Sequence, residues 1–407
     1  MTHDLPSLSR SWRARVAVLA AIVLAVGCGG GSDSGVGAGG TGSPLSFSQG
    51  PITGFGSIIV NGVHFDDSGA SVVDDDGNAL SNTRNLHLGT VVDVQGGVVT
   101  DDAAAASVIH VHVDLLGPVT TAYDAATGRL GVLGQPVRVL ATTALDGFSG
   151  GAAGIPGGGV VAVSSLYDKA TGVYVATRID PAPGAAHFAI RGAPTAIDGA
   201  GGTFTIGTAV LRYGSLAPPA SFAVGQLLRA VLATSVDSHG RWVVTAFGQA
   251  VPALPDGRRG GLDGVVDSAT DPTHFVVNGV SVDASGATVT PAGSAVGVQS
   301  RVEVRGTVVA GVLVASSVEV EASNDGEDDH GGHGGGGGRF QIVGAIMSLD
   351  TVHQTLTMRG PTTVSYATAA FSSGTSADLA VGKAVEVKGN LSPDGSEVIA
   401  TQIKFGH

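Results

Sequence analysis

A single cysteine, Cys28, in 407 residues excludes an intramolecular disulfide framework. Charged residues make up 14% of the chain against a usual ~25%, which excludes a polyampholyte tail and a coiled coil. Aromatic residues are only 5%, so platforms for stacking bases or sugars are few. The formal net charge of -13 repels phosphate backbones, and no nucleic-acid partner is expected. There is no Walker motif, no Gly-x-Gly-x-x-Gly at a strand–helix junction and no zinc-type cysteine pair. The apolar run Val16 to Val26 has 11 residues. As a helix it would cover about 16 Å, too short for a ~30 Å hydrocarbon core.

What the chain does have is glycine, 65 residues in all, in a Val- and Thr-rich background that points to strands and tight turns. The N-terminus carries an address. Arg10, Arg13 and Arg15 precede the apolar run, in the order of a signal peptide. The run ends in Leu24-Ala25-Val26-Gly27-Cys28, which resembles the lipobox of bacterial lipoproteins, with Ala25 in place of the usual Leu, Val or Ile. That resemblance implies cleavage between Gly27 and Cys28, acylation of Cys28 and partition into the lipid bilayer of the outer membrane. Residues 1–27 are thus expected as the signal peptide and 28–50 as a Gly/Ser-rich tether.

The remainder repeats itself. Val60 to Val72 matches Val277 to Val289 at nine of thirteen positions without a gap, and both segments open on Val-Asn-Gly-Val. Asn-Gly between alternating apolar residues predicts a β-hairpin, because both central residues must take positive φ. A second signature follows at Gly89 to Gly96, Gly297 to Gly306 and Val381 to Gly389, with a looser copy at Val224 to Val231. Each repeats a glycine lead-in to a half-buried strand.

Five modules result, at 53–113, 115–180, 188–249, 261–322 and 339–407, with the second and third divergent and an acidic Gly/His linker at 323–338. About five short strands per module, with no helical periodicity, predict an all-β chain of tandem small antiparallel barrels of OB-like type. Modules of this size are marginal alone, and neighbours are expected to bury surface against each other. The expected picture is five small domains in series.

The lead-in Gly54-Phe55-Gly56-Ser57, the following Val-Asn-Gly-Val and the Val-Gly strand motif resemble a family of proteobacterial envelope lipoproteins with tandem copies of a small β-domain of unknown function. The resemblance implies a β-rich, membrane-tethered protein, periplasmic or surface-facing, and implies no activity.

Several residue clusters invite chemistry. Gly147-Phe148-Ser149-Gly150-Gly151 satisfies Gly-x-Ser-x-Gly, but a nucleophile elbow needs a helix directly after the serine, and Ala152 to Gly157 cannot start one. His110 and His112 share one strand face and could together bind a metal. Their counterparts in the fourth module, Glu319 and Glu321, place them instead on the solvent side. Asp328, Asp329, His330 and His333 in the linker could capture a divalent metal weakly, and no other cofactor is expected. The acidic turn Asp74-Asp75-Asp76-Gly77 lacks calcium-loop spacing. Trp242, beyond a turn at Asp237 to Gly240, is placed near a hairpin tip, where it could meet a ligand or pack on an edge. Phe65, Phe204, Phe275 and Phe405 alternate as core residues do. The function expected is a non-enzymatic scaffold for binding or structure in the envelope. Its alternatives are a glycan or small-ligand binder and, more remotely, an envelope hydrolase.

Overall fold

The computed structural model describes residues 45–80, 86–251, 254–321, 340–360 and 362–406. Their only helical pieces are two short 3-10 turns, Gly151–Gly154 and Ser376–Asp378; everything else regular is strand. The fold is all-β, as the periodicity predicted.

Module 2 shows the plan without interruption. Its strands are Leu115–Asp124, Arg129–Val132, Gln135–Ala144, Val160–Asp168 and Val173–Pro181. Strand 1 pairs antiparallel with 2, 2 with 3, 4 with 5 and 4 with 1, while 3 runs parallel to 5. The circuit 1-2-3-5-4 therefore closes on itself, with one side of the start of strand 1 left outside it. Module 4 repeats it with Arg259–Asp271, His274–Val277, Val280–Asp283, Arg301–Val309 and Val312–Glu321. Modules 1, 3 and 5 follow the same circuit with strand 1 broken in two: Leu45–Pro51 with Gly54–Phe55, Phe188–Gly192 with Ala196–Asp198, and Phe340–Ala345 with Ser348–Asp350. These are the expected OB-like barrels. The first begins at Leu45, so residues 45–50 are strand and not the tether the composition suggested.

One backbone latch recurs in all five. At the bend of strand 1, the carbonyl of Ile52, Val119, Pro194, Val266 or Ile346 accepts the N–H of Gly89, Gly158, Gly225, Gln299 or Gly382, at 2.8–3.1 Å. Four of the bend residues return a bond, from their own N–H to the carbonyl of Thr90, Gly159, Ser300 or Lys383. Pro194 has no N–H to give. All five donors have φ between +73° and +85°, the left-handed region that glycine enters without cost. In module 4 that residue is Gln299, two positions beyond the glycine that the repeat alignment had matched to Gly89.

The modules are not strung in series. The described residues all fall in one compact unit. Modules 1, 4 and 5 share a 20-stranded sheet system and modules 2 and 3 an 11-stranded one. The joints are first strands: Ser46 to Gln49 of module 1 run parallel to Arg259 to Leu262 of module 4. Gly54 and Phe55 pair with Gln341 and Ile342 of module 5, and Leu115 and Leu116 with Ile190 and Ala189 of module 3. Hydrophobic clusters cross the same boundaries. Modules 1 and 5 share one, modules 2 and 3 another, and Phe47 of module 1 lies in the core of module 4. A barrel of about 65 residues is marginal alone, and the shared clusters add to what it buries.

Candidate functional site: the polar relay between modules

The Asn-Gly turns do more than reverse the chain. Asn61 and Asn278 have φ of +50° and +51°, as a two-residue hairpin turn requires. Each side chain turns back over its own barrel. Asn61 donates to the Gln49 carbonyl at 2.9 Å, and Asn278 to the Asp263 carbonyl at 3.0 Å. The next residue along, Gly50 or Gly264, has no Cβ; one there would stand 2.6 Å from the amide. The turn glycines then meet neighbouring modules. A Cβ on Gly62 would lie 2.6 Å from the Arg305 guanidinium of module 4, and one on Gly134 2.6 Å from Thr208 of module 3.

From these turns a buried relay of polar contacts crosses three modules. Arg229 of module 3 sets Nε 3.6 Å from Asp75 Oδ2 and Nη1 2.6 Å from Asp76 Oδ1. Asp75 Oδ1 lies 2.6 Å from His112 Nδ1, and His112 Nε2 stands 3.0 Å from Asp93 Oδ2. The other oxygen of Asp93 accepts from Gln49 Nε2 at 2.8 Å, and Gln49 Oε1 accepts from Asn278 of module 4 at 3.0 Å. Asp263 continues the relay to Arg301 at 3.2 Å, and Arg301 to Glu321 at 2.9 Å. A second arm links Arg191 of module 3 to Asp114 at 3.3 Å, with Ser165 Oγ on the same carboxylate at 2.6 Å.

The electrostatics follow from this placement. Burial works against a charged His112, but the Asp93 carboxylate and the hydrogen bonds to Asp75 and Asp93 outweigh it and push its pKa up to about 10. Burial pushes Asp75 up, yet His112 and Arg229 beside it, with the Val113 N–H, hold it below the ordinary carboxylate value. Asp267, at the turn of module 4, is raised by burial against the bond it accepts from Gly279 N–H at 2.6 Å. The imidazole of His112 thus faces a carboxylate at each nitrogen, which favours its protonated form. What this arrangement does chemically is hold modules in register.

The structure places the sequence candidates as follows. His112 was expected on the solvent face with His110; it is instead drawn into the relay with 21% of its side chain exposed, because the acidic turn of its own module folds over it. That turn, which the sequence offers only as an acidic loop without calcium spacing, is the hub. Asp74 caps it by accepting from the backbone of Asp76 and Asn78, Asp75 takes His112, and Asp76 takes Arg229 and His187. Ser149 is exposed in a loop that Phe148 pins into the core of modules 2 and 3, with only the 3-10 turn Gly151–Gly154 behind it. Trp242 opens strand 5 of module 3 and packs edge-to-face on Phe188, ring centres 5.7 Å apart. Phe65, Phe204, Phe275 and Phe405 are all buried in cores. Gly27, Cys28, Asp328, Asp329, His330 and His333 lie outside the described residues. Among the described residues no group of three or more His, Cys, Asp or Glu is arranged to hold a metal ion. Sequence reasoning missed Gln49, Arg229 and Asp263. The one signal was the repeated Asn-Gly, whose Asn278 reaches Gln49, 229 residues away.

Fold and joints together define a class, the tandem OB-like barrel protein whose barrels are fused through their first strands. Segments 117–180, 263–319 and 343–404 match a family model described as "Domain of unknown function (DUF5666)", so the chain carries three copies of that domain. Each copy takes in nearly all of one barrel circuit, in modules 2, 4 and 5. Module 2, divergent by internal comparison, is matched, whereas module 1, one of the clearest repeats, lies outside the matched segments. No curated protein matches the chain.

Proposed function

We propose that this chain is a lipid-anchored protein of the cell envelope, held on the outer membrane through Cys28, whose five barrels form a non-enzymatic scaffold for a protein partner. The observation that carries this reading is how the ionisable side chains are spent. Asp75, Asp76 and Arg229, and Arg191 with Asp114, join one module to another, and His112 and Asp93 extend the contact within module 1. Sixteen residues, 29–44, separate Cys28 from the first strand, a reach of at most about 56 Å when fully extended. That length would hold the barrel cluster close to the bilayer. Labelled palmitate should be incorporated into the wild-type chain and not into Cys28→Ala. Incorporation in both would remove the anchor. Capture from intact envelopes should then bring down a protein partner with the wild-type chain, and catalytic turnover of an envelope substrate by the purified chain would displace the scaffold reading.

A further inference from the structure

The latch that closes each barrel also shows how one barrel can receive another. In module 1 it is covered. Leu88, just before the latch glycine, is 3% exposed, and its carbonyl accepts from Arg178 Nη1 at 3.2 Å. Gly89 lies directly under strand 5 of module 2, where any Cβ would overlap the Thr177 carbonyl. The cover is thus the strand 5 of a barrel of the same fold.

Modules 3 and 5 present the same element uncovered, with one sequence: Ala223-Val224-Gly225 and Ala380-Val381-Gly382. Val224 is 59% exposed and Val381 64%, and among the described residues neither glycine has a neighbour within 4 Å of where its Cβ would be. The left-handed backbone alone does not demand glycine there, since Gln299 takes φ +73° at the same position of module 4. Module 5 adds Met347, 65% exposed, beside the latch residue Ile346. Its counterpart in module 3, Thr195, is a polar residue bonded to Thr205.

We propose that the module 5 latch, centred on Val381, Gly382 and Met347, is a docking surface for a second copy of this chain, which covers it with the outer face of a strand 5 as module 2 covers module 1. Its exposed apolar side chains are Val381 and Met347, with the charged Lys383 at its edge; Gly382 allows close backbone approach, and the chain itself contains the occupied form. The inference rests on barrel geometry and is independent of the lipid anchor.

Two differently tagged full-length copies, produced together, test it with a photo-crosslinking side chain at position 381 and, as a control, at the exposed Val352 in the hairpin turn between strands 1 and 2 of the same module. Crosslinking between tagged copies from 381 and not from 352 is expected. Met347→Asp should reduce the 381 product about tenfold, the loss expected when one buried apolar side chain is withdrawn. No product between copies from 381, equal product from both positions, or a product unaffected by Met347→Asp would each overturn the proposal. A product joining 381 to a different protein would do so as well.

Discussion

His112 owes its charge to its neighbours, and that makes the relay sensitive to pH. Unfolded, its imidazole titrates near 6.5; folded, the pKa is about 10. The folded state therefore binds the extra proton between those values, and stability must fall as pH rises through that window. Below pH 6.5 the contribution is complete, and above about 10 it is gone. Urea unfolding at a series of pH values should show this decline, and His112→Gln should flatten it while lowering stability below pH 6.5 by about 3 kcal/mol, the cost of uncovering buried carboxylates. An identical pH slope in His112→Gln would show that the proton is held elsewhere. None of this was legible in the sequence. Comparing repeats put His112 opposite Glu321 and so outside, which is right for the strand face. The comparison could not see that Asp75, 37 residues away, folds over that face.

The latch is the unit at the scale of elements, and its residues separate two costs of losing a glycine. Gly382 has open space around it, so Gly382→Ala carries backbone strain alone, about 1–2 kcal/mol at φ +85°. Gly89→Ala carries the same strain and a clash with Thr177 across the module boundary, and should lower the urea midpoint distinctly further. Equal effects would mean that the contact between modules 1 and 2 yields easily. Gln299 shows what a side chain can gain there: its Nε2 donates to Asp168 of module 2 at 3.1 Å. Gln299→Gly should be close to neutral, since relief of strain offsets a hydrogen bond worth about 1 kcal/mol. Gln299→Ala keeps the strain, loses the bond and should destabilise. The Asn-Gly turns and the Val-Gly lead-ins were both visible as patterns. Their registers were less secure, because Gly297 and Gln299 lie two residues apart and only a hydrogen bond to Val266 decides between them.

For the whole molecule, the joints run across the order of the chain. A break after Pro255 separates modules 1–3 from 4–5 and cuts the pairings of Ser46 to Gln49 with module 4 and of Gly54 and Phe55 with module 5. It also ends the Gln49–Asn278 bond and splits the core shared by modules 1 and 5. The intact chain should unfold in one cooperative transition. The separate pieces should melt about 10 °C or more lower, since each kcal/mol is worth about 2–4 °C at this size. Pieces as stable as the whole would mean that the joints contribute little.

The sequence alone determined the period of the chain and the fold of each module, because strand alternation and turn chemistry act over a few residues and repeat. It also set the acidic charge, the single cysteine and the lipobox-like segment around it. Tertiary structure decided which barrels touch. First strands that are far apart in the chain pair because each closed barrel has one edge segment to offer there. Buried charges then had to find partners at those joints, since an unpaired charge costs several kcal/mol away from water. The scarcity of charge, read first as an exclusion, leaves a small set of ionisable residues, and several of these are gathered where the modules meet.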